Sequence, residues 1–388
     1  MANTLTDLTV DLYNALDVVS RELVGFIPSV SADMTYERAA KGQTVRSPVA
    51  PEASAKDITP AVTAPDDGDQ TIGNVDMTID KARRVPVRWN GEEKKSLDNN
   101  GAEFNVILRD QFAQAMRALV NEVETDIAAL YVNASRSYGT AGTTPFASNL
   151  ADTAQMLKLL QDNGAPTSDL NLVLDTSGGA AMRTLTQLTK ANESADESLL
   201  RRGVLLDVHG FAIRESAQTK THTAGAISNA TVTGGNAIGA TTINVTTAAD
   251  GADKLEVDAG EYVSFAGDDN KYIVTTDVDI ADNTTGDVEI AAPGLMQATA
   301  GSEEVSNADN NFAASLAFPR SAIALATRAP ALPEQGDSAQ DRMIITDVVS
   351  GLSFEVSLYA QYRQIQYEIA LAWGVAAVKP EHIGILLG

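Results

Sequence analysis

Apolar residues recur at helical spacing from Phe104 to Leu130: Phe104, Ile107, Leu108, Phe112, Ala115, Leu119, Val123, Ile127 and Leu130. The stripe predicts one helix over 102–134, with Asn99 or Asn100 placed to cap its start. At 1.5 Å per residue such a helix spans roughly 50 Å, well beyond the usual three turns. One apolar stripe of that length must be covered along its whole run. The stripe lacks a strict heptad, which argues against a coiled coil. What remains is a spine across which sheets lie.

The segment before the spine predicts extended chain. Pro48, Pro51, Pro60 and Pro65 sit among Ala, Ser, Thr and Asp, and proline fixes φ and removes a donor. A loop this long is unusual in a compact domain and is usually functional. Two alternating runs follow. Val75, Met77 and Ile79 alternate with Asp76, Thr78 and Asp80; Val85, Val87 and Trp89 alternate with Arg84, Pro86 and Arg88. Pro86 suits an edge strand. Residues 40–95 therefore read as a long two-stranded arm. Ahead of it, Leu5, Leu8, Leu12, Leu16, Val19 and Leu23 form a helical stripe that suits docking at home or on a partner.

Charge divides the rest. The chain carries 28 Lys+Arg against 52 Asp+Glu, a net of −24, which argues against general nucleic-acid binding. Within 216–310 fifteen acids face three bases (Lys220, Lys254 and Lys271), so half of the chain's charge lies in about a quarter of its length. That segment is rich in Thr, Gly and Asp, with short β-type runs at Thr241–Thr247, Glu261–Phe265 and Tyr272–Thr276. It predicts an all-β sandwich or barrel inserted into an α+β body. The body itself shows helix and strand over 150–215, and strands at Ala322–Ala326, Met343–Val349, Phe354–Leu358 and Ile365–Trp373. Lys81, Arg83, Arg84 and Arg88 reverse the local charge, with no acid across 81–91. They are the candidate intersubunit contact, against the alternative of a solvated basic face.

Catalytic chemistry is thin. The chain has no cysteine and three dispersed histidines, His209, His222 and His382, which excludes thiol chemistry and gives no metal-ligand spacing. Asp175-Thr176-Ser177-Gly178-Gly179 has its glycine one residue late for a paired-aspartate site and has no second copy, so Asp175 reads as a helix cap. Phosphate-loop, dinucleotide and nucleophile-elbow motifs are missing. The acidic turns Asp250–Asp258 and Asp277–Asp282 do not follow calcium-loop spacing. Trp89 and Trp373 read as packing. No run of 18 apolar residues predicts a membrane span, and Met1 to Val10 does not look like a signal peptide. The expectation is no enzyme, no cofactor and no metal.

Three runs carry a resemblance. The first is Ile369-Ala370-Leu371-Ala372-Trp373-Gly374-Val375, continuing to Lys379-Pro380-Glu381-His382-Ile383-Gly384. The second is Phe318-Pro319-Arg320-Ser321-Ala322-Ile323-Ala324-Leu325-Ala326, and the third Val263-Ser264-Phe265-Ala266-Gly267. With the order of parts, these make the chain resemble the major capsid (coat) proteins of tailed bacteriophages. The nearest resemblance is to short-tailed enterobacterial phages with an inserted β domain. The resemblance implies an α+β tailed-phage major capsid fold. It divides the chain into a helical N-terminal arm (1–39), an extended hairpin arm (40–95) over an adjacent subunit and a spine of the peripheral domain (96–144). An axial domain (145–215), an inserted acidic β domain (216–310) on the outer surface and a return to the sheets (311–388) complete it. It further implies pentamers and hexamers of an icosahedral shell around double-stranded DNA, bound without specificity. Scaffolding and portal proteins are the implied partners, the virion capsid the location, and the host cytoplasm the site of assembly. The insertion is shorter and more acidic than in that family. The other reading of the residues is an acidic surface or ligand-binding protein that uses the β insertion.

Overall fold

The computed structural model describes residues 24–49, 55–63, 65, 68–99, 104–185, 188, 207–249, 254–346 and 352–388. The predicted helix near the N-terminus, the cap at Asn100 and the polar loop 190–198 lie outside the described residues. The fold is α+β.

The spine forms as the apolar stripe requires. A 25-residue helix runs Phe104–Ala128 and passes into a 3-10 turn, Ala129–Asn133, so the α-helix ends before the predicted limit of 134. Leu108, Phe112, Ala115, Met116, Leu119, Val120, Val123 and Ile127 are buried in one core with Phe354, Val356, Leu358, Tyr367, Ile369, Leu371 and Trp373. The Phe112 ring meets Tyr367 edge-on at 5.3 Å. Full burial of such side chains is worth about 1.5–3 kcal/mol each.

The sheet beneath the spine has six strands. Its centre is Gln364–Ala377, the longest alternation in the sequence. One edge of that strand takes Ser353–Gln361 along its first half and Ile323–Pro330 along its second; the other edge takes Lys81–Asn90. Asp341–Thr346 extends the sheet beyond Ser353–Gln361. Ser31–Ala39 pairs in parallel with Ile323–Pro330. That last strand corrects the expectation of a helical arm through residue 39: the chain from Ser31 has no helical stripe and finds a strand edge to complete.

A second correction concerns the arm. Thr44–Val49 and Gly73–Thr78 form an antiparallel hairpin, from Thr44 opposite Thr78 to Val49 opposite Gly73. Lys81–Asn90 is not part of it. Its apolar residues Val85, Val87 and Trp89 need cover on one face, and the spine supplies it.

A nine-stranded sheet builds the rest of the body. Leu170–Leu174, Phe312–Pro319, Gly384–Leu387 and Arg136–Tyr138 are interior strands, and Phe211–Glu215 ends the order at one edge. The helices Ala151–Asp162 and Thr176–Thr184 bury Met156, Leu160 and Met182 in a core with Leu172 and Phe211. Residues 226–306 gather a separate core that includes Ile243, Val245, Leu255, Val263, Tyr272 and Val288. They do not close into one barrel. They form two three-stranded sheets, and the hairpin of Tyr262–Phe265 and Lys271–Ile273 joins the nine-stranded sheet, where Lys271 stands opposite Ser137.

Candidate assembly surface

The four predicted basic residues lie on one strand but on two faces. Lys81 and Arg83 share the spine side with Val85, Val87 and Trp89, as the two-residue period of a strand requires. Lys81 Nζ donates to Asp126 Oδ1 at 2.7 Å, Arg83 Nε lies 3.6 Å from Glu122, and Trp89 Nε1 donates to Gln111 Oε1 at 2.8 Å. Strand and helix run antiparallel with matched rises. Eight strand steps from Lys81 to Trp89 cover about 26 Å, and fifteen helix steps from Asp126 to Gln111 cover about 23 Å. Asp126 also accepts from the buried indole of Trp373 at 2.8 Å, so it joins spine, basic strand and central strand.

Arg84 and Arg88 face the other way. Arg84 Nη1 pairs with Glu368 at 2.6 Å across the ladder. Arg88 is exposed, and no acid lies within ion-pair distance of it among the described residues. It also borders a groove on the spine side, lined by Val85, Val87, Ile107, Asp110 and Ala115. Three of the four predicted contact residues thus have their acid partners within their own chain.

Sequence reasoning named the cations and missed the acids. The signal was available: Glu122 and Asp126 are four apart on the helix, and Lys81 and Arg83 two apart on the strand, so each pair shares a face. Exposed ion pairs of this kind contribute at most about 1 kcal/mol.

The hairpin arm leaves the body over the sheet face opposite the spine. Met77 and Ile79 are buried there against Ala326 and Ala372. A side-chain carbon on Gly374 would meet the Thr78 carbonyl oxygen at 1.9 Å, so only glycine allows the crossing. Between its paired strands no described residue of the arm is buried. Residues 55–63 are exposed throughout, and Ile58 and Val62 are 97% and 106% exposed.

A second anchor fixes the chain on its approach to the first strand. Glu124 of the spine is buried and accepts backbone N–H groups of Gly25, Phe26 and Ile27 at 3.3, 3.0 and 2.7 Å, with the Ser216 hydroxyl at 2.8 Å. Burial pushes its carboxyl above the ordinary value of 4.5, against the pull of those donors.

The other singled-out residues hold structure. Asp175 caps its helix, accepting from the N–H groups of Ser177 and Gly178 at 3.1 and 2.9 Å. His209 sits in a turn with φ +51° and bonds Thr153 at 2.7 Å. His222 is buried, stacks on Phe312 at 5.1 Å and bonds the Tyr131 hydroxyl at 2.9 Å. Burial lowers the imidazole of His382 below its ordinary value. No group of three His, Asp or Glu side chains is placed to hold a metal ion among the described residues. No helix among them is long and apolar enough to cross a membrane.

No protein-family model and no curated protein matches the chain. Solved structures do. The chain is similar to the capsid of the cyanophage P-SCSP1u at 12% identity, with 95% of this chain and 88% of that one covered and a TM-score of 0.49. It is also similar to the capsid of a native GTA particle at 9% identity, covering 95% and 90%, with a TM-score of 0.46. A virus-like particle from Pyrococcus furiosus matches at 9% identity over 98% and 99%, with a TM-score of 0.42. At such identities no residue role passes from one chain to the other.

Proposed function

We propose that this chain is a major capsid protein, the subunit of an icosahedral shell of the tailed-phage kind. The observation that carries the reading is the arm. The molecule uses a buried glycine crossing and a six-pair hairpin to hold out a segment whose described residues 55–63 are exposed throughout. An element so firmly based and so bare at its tip is built for a neighbour. The body suits the same role: a spine bound to its sheet along its length resists the shear that a closed shell imposes.

On this reading the subunit forms pentamers and hexamers, the arm lies over an adjacent copy, and the acidic strands of 226–306 face outward. A scaffolding protein and a portal protein are its assembly partners, and the shell encloses double-stranded DNA without specific binding. A net charge of −24 repels DNA and fits enclosure without binding. Arg88 is the basic contact residue without an acid in ion-pair distance among the described residues.

Negative-stain electron microscopy of the purified chain, expressed with and without its neighbouring genes, tests the reading. Closed shells, tubes, or rings of five and six are expected. A strict monomer at high concentration in both preparations would refute it and turn attention to the acidic β strands as a ligand-binding surface.

A further inference from the structure

We propose that His222 is a proton-operated latch between the acidic β strands of 226–306 and the end of the spine: on taking up a proton, its ring closes an ion pair with Glu261 that tightens the joint. The latch works within one chain and does not depend on the shell reading.

The joint gathers four segments. His222 stands on the short strand Thr221–His222 that leads into the acidic strands, opposite Phe312 on the strand that leads out. Its ring stacks on Phe312, and its Nδ1 bonds the Tyr131 hydroxyl of the turn that ends the spine. Glu261 directly precedes the strand Tyr262–Phe265 and is fully buried. Its carboxyl oxygens accept from the Gly225 N–H at 2.9 Å and the Asn307 amide at 2.7 Å, so it ties entry to exit. The packing is close: a side-chain carbon on Gly260 would meet the Tyr131 ring at 2.7 Å.

Among these bonds one polar atom is left over. His222 Nε2 is buried without a hydrogen-bond partner and lies 3.7 Å from Glu261 Oε2. A neutral ring leaves it so in either tautomer. As a lone pair it faces a carboxylate, and as an N–H it is out of hydrogen-bond range. A second proton turns the same contact into an ion pair, and the Tyr131 hydroxyl turns to accept from Nδ1–H. An imidazole is the side chain that ordinarily changes charge between pH 5 and 8.

The surroundings favour the charged ring. Glu261 is buried with or without it, so the proton offsets a charge already out of water rather than adding a lone one. Burial, then the charge of Asp258, pushes the Tyr131 hydroxyl up; burial, then Asp309 and Glu261, pushes up that of Tyr262. Lys271, 4.5 Å over the Tyr262 ring, is the cation on that side, and Lys220 lies two residues before His222. Glu256 turns to Lys254 at 2.6 Å.

Hydrogen–deuterium exchange of the full chain, corrected for the intrinsic pH dependence of exchange, reads the joint. From pH 8 to pH 6, protection of segments 129–134 and 258–265 is expected to rise about fivefold, with segment 170–174 unchanged. His222→Gln keeps a polar side chain and loses the titration, and Glu261→Gln keeps the shape and loses the charge; each should hold protection flat. Flat or falling protection in the parent would overturn the latch whatever the variants do. So would an equal rise in His222→Gln, which would assign the pH dependence to other groups. The chain has three histidines, so the histidine-labelled parent gives three imidazole signals without any substitution. One of them should titrate with the midpoint of the protection change, and the absence of such a signal would also overturn the latch. Particle formation is no part of either readout, so the shell reading stands or falls separately.

Discussion

The arm hairpin and the basic strand are neighbours in sequence and alike in pattern. Val75, Met77 and Ile79 alternate with polar residues, as do Val85, Val87 and Trp89. Their fates differ. The basic strand finds ten partners on Gln364–Ala377 and a helix over its apolar face. The arm is buried at its root, through Met77 and Ile79, and its described residues 55–63 are exposed. Alternation predicts a strand in both cases and cannot say whose surface covers it.

The largest effect should come from the arm. Ile58→Asp with Val62→Asp is expected to abolish particles while leaving the urea unfolding midpoint of the monomer unchanged, within about 0.5 kcal/mol. A loss of monomer stability above about 1 kcal/mol would break the comparison, because it would place the arm's partner within its own chain. Phe112→Ala is the mirror experiment. Phe112 is fully buried over Tyr367, so its loss should cost about 3–5 kcal/mol and reduce particles only by reducing folded subunit.

Legibility followed the same division. The spine and the central strand were plain because each carries a long period that only one structure satisfies. Asp175 was plain as a cap, since capping is local. The break between hairpin and basic strand was not legible. It depends on Ile79 turning back over the sheet and on Gly374 letting Thr78 pass, two residues nearly 300 positions apart. The ion-pair partners of Lys81 and Arg83 were missed for a related reason. Their acids were visible on the helix, yet nothing local tells which strand the helix will cover.

Asp126 sharpens the comparison at the next level down. Asp126→Ala removes the acceptor of both Lys81 and the Trp373 indole, leaving a buried donor without a partner. That should cost about 1–3 kcal/mol in urea unfolding. Asp126→Asn keeps an oxygen for one of the two and should recover part of the loss. Equal losses for both variants would show that the hydrogen bonds contribute little and that packing carries the joint.

The basic residues should then separate by face. Arg83→Glu replaces an ion pair with a repulsion against Glu122 and should cost up to about 1 kcal/mol of monomer stability. Arg88→Glu has no acid to lose and should leave the monomer's unfolding curve in place while reducing or mis-sizing particles. Normal shells from the Arg88 variant would remove it from the contact surface.

The smallest effect tests the lesson on two carboxylates with similar cradles. Glu303 accepts the N–H groups of Ala300, Gly301 and Ser302 at 2.6, 2.9 and 2.9 Å, and these donors hold it down at about 2. Glu124 accepts three backbone N–H groups and a hydroxyl, yet burial raises it above 4.5. The donors are alike; what packs around them decides the sign. The half-exposed Glu303 favours the folded state above 4.5 and loses that contribution as pH falls toward 2. The buried Glu124 binds its proton more tightly when folded, so its contribution is full below 4.5 and is lost as pH rises through its raised value. Urea unfolding of Glu303→Gln and Glu124→Gln between pH 3 and 8 should therefore show opposite trends against the parent. The Glu303 variant should fall further behind as pH rises, and the Glu124 variant should gain ground. Parallel trends would mean that the three backbone donors, not the surroundings, govern both carboxylates.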